Sequence, residues 1–148
     1  MKHGVKKYED QSQTVILSAM MFPVNINKDS KGLLEFIASE RAKNDDKKRF
    51  KNLSVKNEFV TFKSLRCLKY QTLSEDHKDK GIESAVFEYF KAYGYVCRYP
   101  LENFGFQFEV SHRSKGKEIP KDLLDAADVF FQDIQLVEAT VKRLKTIK

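Results

Sequence analysis

"GYVCRYPLENFGFQFEVSHR", residues 94–113, carries the reading on which the fold turns. From Phe104 the chain alternates: Phe104, Phe106, Phe108 and Val110 fall on one side, and Gln107, Glu109, Ser111 and Arg113 on the other. A repeat of two is the period of an extended strand with one buried face, so the phenylalanines are expected to point into a core. Upstream, residues 95–99 read as the partner strand and "PLEN" (100–103) as the turn, because Pro100 presets φ for a tight reversal. A sheet that stacks nucleobases would set its aromatics among lysines and arginines. Here they alternate with Gln107 and Glu109, which favours a core stripe over a base-stacking surface.

Working outward, "TVILSAMMFPV" (14–24) reads as a buried strand stopped near Pro23. In "SKGLLEFIASERAKN" (30–44), Leu33, Phe36, Ile37 and Glu40 fall at helical spacing, with Ser30 placed to cap. A charged connector, "DDKKRFKNLS" (45–54), follows, tucked down by Phe50 and Leu53. "EFVTFKSLRCLKY" (58–70) is expected as one long strand, with Val60, Phe62, Leu68 and Tyr70 on one face and Leu65 and Cys67 on the other. Residues 71–81 read as a polar loop. Residues 82–93 fit helix or strand, and their aromatic neighbours tip the reading to strand.

The clearest helix is "PKDLLDAADVFFQDI" (120–134). Pro120 suits its start, Asp122 and Asp125 suit its positive end, and Leu123, Ala127, Phe130 or Phe131, and Ile134 make an apolar stripe. "QLVEATV" (135–141) is expected as a short edge strand, with basic residues after it. The order predicts an α+β fold, an antiparallel β-sheet meander packed with two helices. A flexible arm (1–12), a single α+β domain (13–138) and a basic tail (139–148) are the expected divisions.

The chain has 148 residues, 27 basic against 21 acidic, and a net charge of +6, a mild bias toward anionic partners. Its longest apolar run, residues 15–24, is too short to cross a bilayer as a helix and contains Pro23. The start has no apolar segment of the secretory type, which leaves two readings, a cytoplasmic protein or a mature form whose signal has been removed.

Cys67 and Cys97 both fall in expected strands. Two free core cysteines and a bond between neighbouring strands both fit the sequence; the bond would close a loop of about 31 residues and contribute roughly 3.5–4 kcal/mol. A disulfide would imply an oxidising compartment. Zinc does not fit, since neither cysteine has a nearby second thiol and there are only three histidines. His77, beside Glu75, Asp76 and Asp79, reads as one of a solvated group rather than an acid–base or metal cluster. His112 reads as structural, and His3 lies in the arm. No phosphate-cradling glycine loop or nucleophile constellation is legible, so neither an enzymatic role nor a cofactor is expected.

"LRCLKY" (65–70), "SEDHKDKG" (74–81), "GYVCRYP" (94–100), "EVSHR" (109–113) and "DLLDAADVFF" (122–131) running into "QDIQL" resemble a loose group of small bacterial exported proteins and lipoproteins. The mature domain of that group looks like the Mog1/PsbP-like α+β sandwich. The resemblance covers residues 14–137. In that group two cysteines typically stand where Cys67 and Cys97 do, and a Ser-x-Arg ends the strand as Ser111 and Arg113 do. The group often has His-Pro where this chain has Tyr99-Pro100, so no role for that histidine carries over. The resemblance implies a periplasmic protein or outer-membrane lipoprotein without known catalytic residues.

The functional expectation is a non-enzymatic periplasmic or membrane-anchored binding or scaffold module acting on a protein partner. Arg98, Tyr99, Glu109 and Arg113 are its candidate polar face on adjoining strands, with Glu109 paired to an arginine. The alternative is a cytoplasmic basic adaptor that binds nucleic acid through residues 139–148 and the 43–51 connector.

Overall fold

The computed structural model describes residues 2–7, 13–24, 32, 34–37, 39, 46–99 and 104–134, the first of these stretches as backbone. Its elements are β1 (Lys2–Lys7), β2 (Thr14–Pro23), a helical stretch α1 within 32–39, β3 (Phe50–Phe62), β4 (Leu65–Asp76), β5 (Glu88–Arg98), β6 (Phe104–Ser114) and α2 (Lys121–Asp133). The strands form one six-stranded antiparallel sheet in the order β1-β2-β6-β5-β4-β3. Strands β3 to β6 are a meander, and β2 adds beside β6 with β1 outside it. The connection from β2 to β3 therefore passes from one side of the sheet to its far edge, and it carries α1.

The expected stripe is buried. Phe104, Phe106, Phe108 and Val110 are at most 3% exposed and form one face of β6. Register places Phe106 beside Cys97, Phe108 beside Tyr95 and Val110 beside Tyr93 on β5, and Leu17 and Ala19 of β2 flank them on the other side. Onto this face α2 lays Leu123, Ala127 and Phe131, three positions at i, i+4 and i+8. The Phe131 ring meets Tyr93, Tyr95 and Phe108 at centroid distances of 6.2, 6.0 and 6.1 Å, and Phe62 stacks on Tyr95 at 4.2 Å. Each fully buried phenylalanine contributes about 1.5–3 kcal/mol of hydrophobic stabilisation. A second core lies on the opposite face, where Leu34 and Ile37 of α1 pack with Leu68, Tyr70, Ala92, Val96 and Phe22.

Several expectations are corrected. Residues 2–7, expected within a flexible arm, form edge strand β1, paired from Lys2 with Ala19 to Lys7 with Thr14. The single strand expected over 58–70 is two strands joined at Lys63 and Ser64, whose φ values of 52° and 62° make a two-residue reversal without glycine or asparagine. That reversal shifts the side-chain parity. Val60 and Phe62 share the α2 face with Cys67, while Leu68 and Tyr70 look the other way. The connector at 43–51 contains a turn in which the Asp46 carbonyl accepts from the Arg49 and Phe50 amides, and from Phe50 onward it is strand. Leu53 is 41% exposed rather than tucked down. The polar loop at 71–81 is strand as far as Asp76, and the strand read at 82–93 starts at Glu88. Residues 100–103 and 135–148, and with them the proline turn, the second edge strand and the basic tail, lie outside the described residues.

Gly94 answers to a close approach between β5 and β6. A Cβ there would come within 2.0 Å of the Phe108 carbonyl oxygen. The register also places Gly94 between Tyr70 and Glu109, and across its bare Cα the Tyr70 hydroxyl donates to the Glu109 carboxylate. Gly94→Ala should therefore push the two central strands apart and lower stability by about 3 kcal/mol, read as a drop in the urea midpoint.

Candidate functional site

Four strand ends converge on Asp76, whose side chain is fully buried. It ends β4, opposite Phe50 at the start of β3 and Glu88 at the start of β5. Arg49 clamps it with both ends of its fork, Nε donating to Oδ1 at 2.7 Å and Nη2 to Oδ2 at 3.0 Å. Arg113, near the end of β6, brings its Nε to 2.8 Å from Oδ2, and the Lys78 amide donates to Oδ1 at 3.0 Å. The guanidiniums lie over aromatic rings, Arg49 at 4.9 Å from Phe50 and Arg113 at 5.4 Å from Phe90. Burial works against the Asp76 carboxylate, but the hydrogen bonds from Arg49 and Lys78 and the two arginine charges outweigh it. They hold its pKa below the ordinary carboxylate value. This arrangement is a structural clamp: its carboxylate is already occupied from every side.

Next to it, His77 is 2% exposed, its Nε2 lies 2.9 Å from Glu75 Oε2, and its ring meets Phe87 at 4.9 Å. The expectation of a solvated His77 group is thus corrected, since both Asp76 and His77 are interior. Sequence reading missed this because Arg49 and Arg113 are distant in the chain from the acid they neutralise.

On the α2 face, Lys91 and His112 are cross-strand neighbours, 2% and 1% exposed. Lys91 Nζ donates to Ser114 Oγ at 2.6 Å and to the Gly116 carbonyl, and burial pulls its pKa down to about 8 against the opposing charge of Glu88. His112 Nε2 lies 3.1 Å from Gln13 Oε1. Burial, reinforced by the charge of Lys91, lowers its pKa to about 4. A serine hydroxyl beside a depressed lysine is the pairing of a Ser–Lys nucleophile. Here Ser114 is 6% exposed, and its Oγ also accepts the Gly116 amide at 3.2 Å. The trio fills the sheet beneath the turn after β6.

The four residues expected as a polar face are spread along the β5–β6 hairpin. Arg98 pairs in register with Gly105 at one end and Arg113 with Phe90 at the other. Tyr99 packs edge-on against Phe106 at 6.1 Å, Glu109 accepts from Tyr70, and Gln107 donates to both Tyr70 and Glu109 at 3.1 and 3.3 Å. Arg113 answers to Asp76. On that same face Met20, Phe22, Ile37, Val96 and Gln107 line an apolar cavity of about 280 Å³. Cys67 and Cys97 stand opposite each other in the β4–β5 register with Cα atoms 4.1 Å apart, and they are bonded as a disulfide. Such a bond belongs to an oxidising compartment.

Among the strands whose burial is described, the least protected is β3. Lys51 to Phe59 are exposed, nine residues in succession, and among the described residues no strand lies beyond it. Leu53, Val55 and Phe59 are 41%, 56% and 42% exposed. A long outer strand presents a row of backbone donors and acceptors ready to pair with another chain. Among the described residues, no group of three or more His, Cys, Asp or Glu is placed to hold a metal ion, and no helix is long and apolar enough to cross a membrane. No family model and no curated protein sequence matches the chain.

Two outcomes test the interior charges. Asp76→Asn leaves two arginines facing each other without their shared counter-ion. Breaking a buried pair costs roughly 3–5 kcal/mol, and the partial exposure of both guanidiniums reduces the expected loss at neutral pH to about 2 kcal/mol by urea denaturation. His112 has a folded pKa below its unfolded value near 6.5, so the unfolded chain takes up the proton first. Stability is then complete above that value and falls as pH drops toward about 4, by about 3 kcal/mol. His112→Gln should flatten that part of the stability–pH curve.

Proposed function

We propose that the chain is a non-enzymatic binding module of an oxidising compartment, periplasmic or membrane-anchored, which holds a protein partner along the free edge of β3. The observation that carries this reading is the unbroken exposure of Lys51 to Phe59 on an outer strand with apolar side chains at Leu53, Val55 and Phe59. Strand addition to such an edge takes its affinity from main-chain hydrogen bonds and its selectivity from alternate side chains. The Cys67–Cys97 bond supports the compartment. Ser114 and Lys91 are turned inward and hydrogen-bonded to each other, and His77 is interior with Nε2 against Glu75, which favours binding over catalysis. A helix on each face of an antiparallel sheet is in keeping with a Mog1/PsbP-like sandwich, and we include that likeness in the proposal.

The test is photo-crosslinking in cells with benzoylphenylalanine at position 55 or 59, compared with position 129 on the exposed side of α2, where Val129 is 61% exposed. Protein adducts from 55 and 59 with none from 129 are expected. Silence at both β3 positions would overturn the reading.

A further inference from the structure

We infer that the strand taken up by β3 is β3 of a second copy, paired antiparallel about a twofold axis through Asn57; this rests on the reading of β3 as the docking edge. The direction of the backbone groups follows from the hairpin. A two-residue reversal closes on a hydrogen-bonded pair, Phe62 with Leu65, and bonded pairs then recur at every second residue. Val60, Glu58, Lys56 and Ser54 thus spend their N–H and C=O groups on β4. Thr61, Phe59, Asn57 and Val55 aim theirs outward. The ladder is regular over this stretch, and the register shift lies before it, between Asn52 and Ser54.

An antiparallel self-pairing must set outward-facing residues against one another, and charge then separates the registers centred on Lys56, Asn57 and Glu58, in the middle of the exposed stretch. Centring on Lys56 opposes Lys56 to its own copy, and centring on Glu58 opposes Glu58 to its own copy. Centring on Val55 runs the pairing into the irregularity at Leu53. Centring on Asn57 sets Lys56 against Glu58 of the second copy twice, once on each side of the axis. The same register sets Val55 against Phe59 of the second copy, also twice, covering two of the most exposed apolar side chains on the edge. Lys56 and Glu58 take one face of the strand, and Val55, Asn57 and Phe59 the other. Residue i meets j and j meets i, the self-complementary contact of a closed dimer, and pairing the edges leaves no free β3 to recruit a third copy. The opposite edge is built differently, for β1 has Lys2, Lys6 and Lys7 among its six residues, a composition that discourages further pairing.

Sedimentation equilibrium of the full disulfide-bonded chain, from micromolar to millimolar, should show a monomer–dimer equilibrium. Lys56→Glu turns both cross-strand attractions into repulsions and should weaken the dimer about tenfold or more. Combining Lys56→Glu with Glu58→Lys should restore it, a rescue that a folding defect cannot produce. Val55→Pro removes an outward amide without touching the β4 ladder and should abolish the dimer while leaving the circular dichroism spectrum unchanged. A monomer at every concentration, or a dimer indifferent to the charge swap, overturns the inference. A monomer whose positions 55 and 59 still crosslink to a different protein overturns only the second copy and leaves the docking edge standing. A monomer that crosslinks to nothing removes both.

Discussion

The seat of Phe131 on the β5–β6 hairpin is the contact from which the rest of the architecture takes its position. Its ring touches Tyr93, Tyr95 and Phe108, and Tyr95 in turn carries Phe62 from the hairpin on the far side. The aromatic group thus links α2, the two central strands and the β3–β4 hairpin through one set of rings. Edge-to-face and offset pairs of this kind add about 0.5–1.5 kcal/mol each beyond their burial, and they fix relative orientation as well as proximity. α2 covers this face of the sheet, and Leu34 and Ile37 of α1 pack on the other.

The two ends of β4 are secured by different physics. At its start, Cys67 is bonded to Cys97 across the ladder. At its end, Asp76 gathers Arg49 from the turn before β3 and Arg113 from β6, beyond β5. A bond of the first type acts mainly on the unfolded chain by restricting it, whereas the buried carboxylate acts on the native state and carries a desolvation penalty that its partners must offset. The charged end costs more to assemble, but it specifies alignment. Only the native register of β3, β4 and β6 brings both guanidiniums to the same acid. Hydrophobic pairing alone would tolerate a slip of two residues, since that keeps every side chain on its face.

Much of this was legible in the sequence where one periodicity ran without interruption. The Phe104–Val110 alternation and the stripe of Leu123, Ala127 and Phe131 stand in the structure as the pattern suggested, and 14–23 is a strand, though a half-buried one in which only Val15 is interior. The β3–β4 hairpin was not, because Lys63 and Ser64 adopt left-handed backbone without the glycine or asparagine that normally announces it. Read straight through that point, every side chain beyond it is assigned to the wrong face. Polarity misled in the same region. Residues 71–77 are hydrophilic and looked like loop, yet Ser74, Asp76 and His77 are interior: Asn52 satisfies Ser74, Arg49 and Arg113 satisfy Asp76, and Glu75 meets Nε2 of His77. The part of edge β3 before Glu58 was hidden for a related reason: a strand with little to bury has no pronounced alternation to detect.

One covalent feature has a topological side. The largely exposed stretch from Lys78 to Val86 links β4 to β5 in sequence, but Cys67 and Cys97 join the same two strands at the opposite end of the ladder. A protease that severed the backbone within that stretch would yield two fragments of one molecule, still tethered and still zipped along their shared ladder. Continuity of the polypeptide there is thus dispensable for keeping the halves together, and in a protease-rich environment a nick at the site need not mean loss of the folded body.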